Sequence, residues 1–279
     1  MNIENKNYKL SFIAEGAQLV SWLDKRDGHE FIHDGKTGWG QHNPTLFPIV
    51  GKLVGGTYCV NDTEYAMGQH GVVRRANFVG TTTSENSICF SFESNEDTKK
   101  IYPFDFKFEK EYILEENRLI ITHRVTNTGK SLMPFSIGHH PAFKCDFEKG
   151  VTVEFEREES LNLVKFEEGG YFSHEYYAYG EPSRSIAMPY DKNLLDTLVF
   201  TNLKSSHVTM VSEDHRVSVS TVGFPYFGVW YNEGGFACLE PWLAHSSYLD
   251  TSKDLFKKED MYLLESGRSF LNSYSIEVI

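Results

Sequence analysis

A chain of 279 residues with 40% hydrophobic and 24% charged residues can bury a large core and sits within the length range of a single all-β unit. Its net charge of -12, uninterrupted by any run of five basic residues, repels phosphate backbones and anionic lipid, so nucleic acid and membranes are not expected partners. The four cysteines, Cys59, Cys89, Cys145 and Cys238, form no C-x-x-C pair and are too sparse for a disulfide scaffold; they are expected to be reduced and mostly buried.

The chain opens MNIENKNYKLSF, with no basic segment leading into an apolar one, which predicts a cytoplasmic protein without a signal peptide. Further along, 21 Phe and 15 Tyr favour strands, and apolar residues recur with a period of two. Ile88, Phe90 and Phe92 share one face of a first such strand, and Glu96 to Tyr102 is one of two stretches with a helical period. Phe106, Phe108, Tyr112 and Leu114 then define a strand that turns back at Glu115-Glu116-Asn117-Arg118, and a second turn follows at Asn127-Thr128-Gly129-Lys130. From Glu167 to Asp191, three Gly, two Pro and five Tyr occur without periodicity, which predicts a long surface excursion. Ser212-Glu213-Asp214-His215 forms another hairpin turn, with Asp214 and His215 solvated at its tip, before the strand carrying Val217 and Val219. After the second helical stretch, Lys253 to Asp260, and a turn at Glu265-Ser266-Gly267-Arg268, a last strand runs from Phe270 through Tyr274, Ile276 and Val278. A dozen or more such runs, with no β-α-β alternation, predict an all-β fold: one large antiparallel β-sandwich with little helix, spanning 1–279 as a single domain.

Four stretches break the strand pattern with polar residues beside Gly or Pro, as functional loops at a sheet rim do: NPTLFPIVGKLVGG (43–56), QHGVVRR (69–75), GHHPAF (138–143) and CLEPW (238–242). His70 and Arg74 are able to reach one hydroxyl-rich ligand; equally, His70 fits a turn histidine bonded to backbone beside a solvated Arg74-Arg75 pair. His139 and His140, adjacent in an extended segment before Pro141, must send their rings to opposite sides, so one of them at most serves a given site. A histidine there is either a proton donor near neutral pH or a buried ring bonded to a carbonyl. Glu240 follows the apolar run Phe236-Ala237-Cys238-Leu239, where a carboxylate is costly unless paired or working, and burial would raise its pKa toward the range of a general base. His29, His33 and His42 are too scattered to grip a metal, and there is no G-x-S-x-G elbow, P-loop or dinucleotide fingerprint.

In order and spacing, LFPIVGKL, MGQHGVVRR, YPFDFKFEKEYIL, NRLIITHRVTNTG, MPFSIGHHPAF, FPYFGVWYN and CLEPW resemble the aldose 1-epimerase (galactose mutarotase-like) family, in particular its bacterial mutarotase-related branch. That resemblance covers nearly the whole chain and implies the large sandwich of the family. It also implies a cofactor-independent isomerase that interconverts α and β anomers, with His140 as general acid, Glu240 as general base, His70 and Arg74 on sugar hydroxyls, and Asp196 holding the sugar. Lys52 stands where the family usually carries Arg, replacing a bidentate fork by a point charge. His139 occupies a family glycine position, as a surface residue or one that reshapes the rim. The implied ligand is an aldose or aldose phosphate, for a monomer or homodimer. Two alternatives remain open at this level: a non-catalytic carbohydrate-binding or sensing domain, and a hexose 6-phosphate mutarotase in which Lys52, Arg74 and Arg75 converge on phosphate.

Overall fold

The computed structural model describes residues 1–188, 197–213, 215–232 and 234–279. Among these residues two large antiparallel sheets dominate. One has nine strands, running in space from Ser183–Ala187 through Thr152–Glu159, His207–Val211, Arg216–Ser220, Ser269–Val278, Arg118–Asn127, Phe106–Glu115 and Ser87–Glu93 to Val79–Ser84. The other has eight: Tyr171–Ala178, Asn162–Glu167, Leu198–Thr201, Tyr226–Asn232, Phe236–Trp242, Gly138–His139 and Thr45–Leu46, with Ala142–Lys144 also paired to Phe236–Trp242. The all-β expectation therefore holds. Among the described residues the α-helix is limited to Glu96–Ile101, started by the Asn95 side chain accepting from the Asp97 and Thr98 N–H groups, and the second expected helical stretch is a single 3₁₀ turn, Leu255–Lys257. No helix among the described residues is long and apolar enough to cross a membrane.

The central hairpin follows from the sequence pattern. Phe106, Phe108, Lys110, Tyr112 and Leu114 alternate inward on one strand and Leu119, Ile121, His123 and Val125 on the next, with Glu116 in the left-handed region at the turn. The register then lines up Tyr112, Ile121 and Tyr274 in one row across three strands, and Lys110, His123 and Asn272 in the row beside it. The first row packs into the main core, where Phe47 sits with its ring centroid 5.0 Å from that of Phe106 and 5.1 Å from that of Phe108. The second row is polar, with Lys110 and His123 buried and Asn272 half-buried.

Four expectations are corrected. The surface excursion contains two ordered edge strands, Tyr171–Ala178 on the smaller sheet and Ser183–Ala187 on the larger one. So much of each strand is exposed that no alternation marks it, while Phe172 and Ile186 anchor the two strands inward. His139 is neither a surface nor a rim residue: it is fully buried between the sheets, stacked on His123 and Tyr274 at centroid distances of 4.3 Å each, with Nε2 3.0 Å from Asn272 Oδ1. Of the free cysteines only Cys238 is fully buried; Cys59, Cys89 and Cys145 are half-buried. His215 does not stand free at a hairpin tip but lies against His29, centroids 3.4 Å apart, while Asp214 falls outside the described residues.

Candidate active site

The strand Phe236–Trp242 is buried on both faces. Ala237 and Leu239 point into the core between the sheets, so Cys238, Glu240 and Trp242 must point to the opposite side. Gly138 pairs with Trp242 and Ala142 pairs with Cys238, which sets residue 140 across from residue 240. His140 has left the regular ladder before Pro141; its N–H is held by the Pro44 carbonyl at 3.2 Å. Register thus delivers a carboxylate and an imidazole from residues one hundred apart in sequence, and His140 Nε2 lies 3.2 Å from Glu240 Oε2. Because Gly228, the partner of Glu240 on its other side, has no side chain, the Trp242 indole can lie across the strand at that point.

The pair forms the floor of a hollow of about 400 Å³, in the usual size range for a small-molecule site. Trp39 stacks on His140 with centroids 4.6 Å apart and 26° between planes, and Trp230 meets the same imidazole edge-on at 5.7 Å. Phe166, Phe172 and Gly170 form an apolar wall, with Gln41, Gln69 and Ser246 supplying polar groups. His70 joins from a tight loop in which both it and Gly71 are left-handed. A Cβ at Gly71 would lie 2.1 Å from the Phe47 carbonyl oxygen, so only glycine lets this loop approach the core. The His70 Nδ1 accepts from the Gly51 N–H at 3.1 Å, which leaves Nε2 as the protonated nitrogen, next to the Gln69 side-chain amide.

Electrostatically the floor is unusual. Burial pushes the Glu240 carboxyl well above the usual carboxylate range, opposed by the nearby Trp242 indole, and neither oxygen receives a well-formed hydrogen bond from the described residues. Burial holds His140 down to about 3, and the Arg74 guanidinium adds to the effect. His70 is likewise held well below the ordinary imidazole value by burial, then by His140, Arg74 and Lys52. Burial therefore favours a protonated carboxyl beside a neutral imidazole in contact distance. Such a pair can take one proton from a ligand hydroxyl and return one to a neighbouring oxygen.

Of the residues singled out in the sequence, His140, Glu240, His70, Arg74 and Lys52 come together around this hollow. Arg74 is half-buried, whereas Arg75 is exposed and faces a neighbouring groove, so the three cations do not converge on one point. Lys52 Nζ donates to the Gly169 carbonyl at 2.8 Å. Asp196 lies outside the described residues. Sequence reasoning missed Trp39, an aromatic in the polar, glycine-rich segment before residue 43 that folds over His140. It also missed that Cys238, two residues before Glu240 on the same strand face, brings a sulfur to the pair: ligand atoms of His140, Cys238 and Glu240 all lie within 4.8 Å of one another.

A two-sheet sandwich with such a hollow on the outer face of its smaller sheet defines a class, and sequence comparison identifies it. The chain belongs to the aldose 1-epimerase family, whose model matches residues 1–255. It is 30% identical to the chromosomal LacX protein of Lactococcus lactis subsp. lactis over the whole of both chains. Among solved structures it is similar to a galactose mutarotase related enzyme from Lactobacillus acidophilus (TM-score 0.91, 27% identity, covering all of this chain and 97% of that one). A galactose mutarotase-like protein from Lactobacillus casei shares the fold (TM-score 0.92, 24% identity, 100% and 99% covered).

Proposed function

We propose that this protein is a cytoplasmic, single-domain mutarotase: it interconverts the α and β anomers of an aldose by opening and reclosing the ring, without a cofactor. The observation that carries this reading is the Glu240–His140 pair, 3.2 Å apart at the floor of a sugar-sized hollow walled by aromatic rings. Trp39 and Trp230 suit the apolar face of a pyranose, and His70 and Arg74 suit its hydroxyls.

In the reactive state the lone proton of the pair sits on His140, having crossed the contact from Glu240 once sugar hydroxyls solvate the carboxylate. Glu240 then takes the proton from the C1 hydroxyl as the C1–O5 bond breaks, and His140 gives its proton to O5. The products are an open-chain aldehyde, a neutral carboxyl and a neutral imidazole. After rotation about C1–C2, O5 attacks the other face of the carbonyl, His140 recovers the O5 proton and Glu240 protonates O1. The pair gains and loses no net proton over the cycle. A positioned acid or base contributes roughly 10² to 10⁴ in rate. The test is polarimetry or exchange NMR on freshly dissolved α-aldoses: acceleration by catalytic amounts of protein supports the reading, and saturable sugar binding without acceleration replaces it by a binding module.

One observation favours a phosphorylated substrate as a second reading. Lys52 and Arg74 both line the hollow without an ion-pair partner among the described residues, in a chain of net charge -12. Comparing glucose with glucose 6-phosphate, and each with its galactose epimer, separates the two substrates.

A further inference from the structure

Cys238 has no part in the proton shuttle, yet its thiol lies beside the pair. It is fully buried, and no polar or cationic neighbour favours its ionised form. With Glu240 two residues on along the same strand face and His140 opposite, one sulfur, one oxygen and one nitrogen converge within 4.8 Å. We propose that His140, Cys238 and Glu240 form a binding site for a thiophilic divalent cation, represented by Zn²⁺, and that an ion held there switches the acid/base pair off.

The donor set and its surroundings fit such an ion. Tetrahedral zinc bonds of about 2.0 to 2.3 Å put neighbouring ligand atoms roughly 3.5 Å apart, so the trio needs to contract by up to about 1.3 Å at its widest. His140 Nε2 and Glu240 Oε2 are already 3.2 Å apart. His140 and Glu240 line the hollow, so a water or a ligand entering it is within reach as a fourth donor. Neither Glu240 oxygen has a good hydrogen-bond donor among the described residues, so an ion would satisfy a group the fold leaves unsatisfied. Charge balances as well: binding releases one proton from the thiol and one from the carboxyl to solvent, and the +2 of the ion is offset by thiolate and carboxylate, leaving the buried trio neutral. No electron is transferred. Sulfur and imidazole select zinc and its neighbours over magnesium and calcium, which prefer all-oxygen shells. An ion bonded to His140 Nε2 and a Glu240 oxygen occupies the two atoms that the shuttle requires.

The binding half of this inference is independent of the mutarotase reading; the switch rests on it. The full chain is titrated with Co²⁺, whose thiolate complex absorbs in the near ultraviolet, and with Zn²⁺ by calorimetry, using the native protein, Cys238→Ala and Cys238→Ser. Expected are one ion per chain with a thiolate band, and at least a tenfold loss of affinity together with loss of the band in both variants, which circular dichroism should find folded. Mutarotation is followed in parallel: the native rate falls with Zn²⁺ and returns with a chelator, while the Cys238 variants keep the basal rate and resist the metal. A band or affinity unchanged by either substitution, or Mg²⁺ binding equal to Zn²⁺, overturns the site. Tight, Cys238-dependent binding with undiminished mutarotation overturns the switch alone. An inactive native protein that still shows the Cys238-dependent band counts against the mutarotase reading and leaves the metal site standing.

Discussion

Burial favours the uncharged form of both Glu240 and His140. Replacing them with neutral isosteres should therefore cost the fold little. Glu240→Gln and His140→Asn are expected to lower catalysed mutarotation by at least about 10², the lower bound for one positioned proton transfer, with melting temperatures close to that of the native protein. Polarimetry beside thermal denaturation checks this, and full activity in both variants would sink the assignment. Arg74 lines the hollow and suits a substrate hydroxyl, so Arg74→Ala is expected to raise KM more than it lowers kcat; a pure kcat effect would contradict a binding role. Under the phosphate reading that KM increase should be larger for an aldose 6-phosphate than for the free sugar. Legibility at this scale was uneven. His140, Glu240, His70 and Arg74 could be named because polar residues beside Gly or Pro interrupt apolar runs. Trp39 could not be named, since nothing local says which aromatic in a loop folds back over a histidine a hundred residues away.

At the scale of the element, the loop through His70 and Gly71 depends on backbone conformations that side chains disfavour. Gly71→Ala combines a positive φ with a Cβ in the Phe47 carbonyl, and should destabilise the protein by about 1–3 kcal/mol or more while displacing His70 from the hollow. Urea unfolding and the substrate KM report the two effects; an unchanged KM would mean that His70 does not bind substrate. The strands themselves were readable wherever one face is wet and the other dry, as in Phe106–Glu115. The edge strand Tyr171–Ala178 was not, because five consecutive exposed residues at its end erase the alternation and its hydrogen-bond partner is a separate strand. The adjacent pair His139-His140 shows both halves of the lesson. Opposite directions followed from extended geometry alone, but the larger sheet decided which ring would be buried among His123, Tyr274 and Asn272.

Across the whole molecule, the polar row of Lys110, His123 and Asn272 meets His139 and Asn43 from the opposite side. Burial brings Lys110 down to about 7, against about 10.4 for a lysine in an unfolded chain. Between those values the folded state binds fewer protons than the unfolded one, so this residue makes stability rise with pH through that window. Lys110→Met should remove its share: the variant's advantage over the native protein is expected to be largest near pH 7 and to shrink toward pH 9, as urea unfolding at several pH values would measure. A constant difference would mean that Lys110 does not titrate there. The amino-acid sequence by itself determined the all-β class and the inward faces of the regular strands, because side-chain direction in a strand repeats every two residues and needs no partner to be known, and it named most of the residues that come together around the hollow. Only the tertiary structure decided that residue 140 faces 240, that a sulfur joins them, and that a lysine lies in the interior. Those facts depend on which strands become neighbours and in what register, a non-local choice made by closing the two sheets over one core.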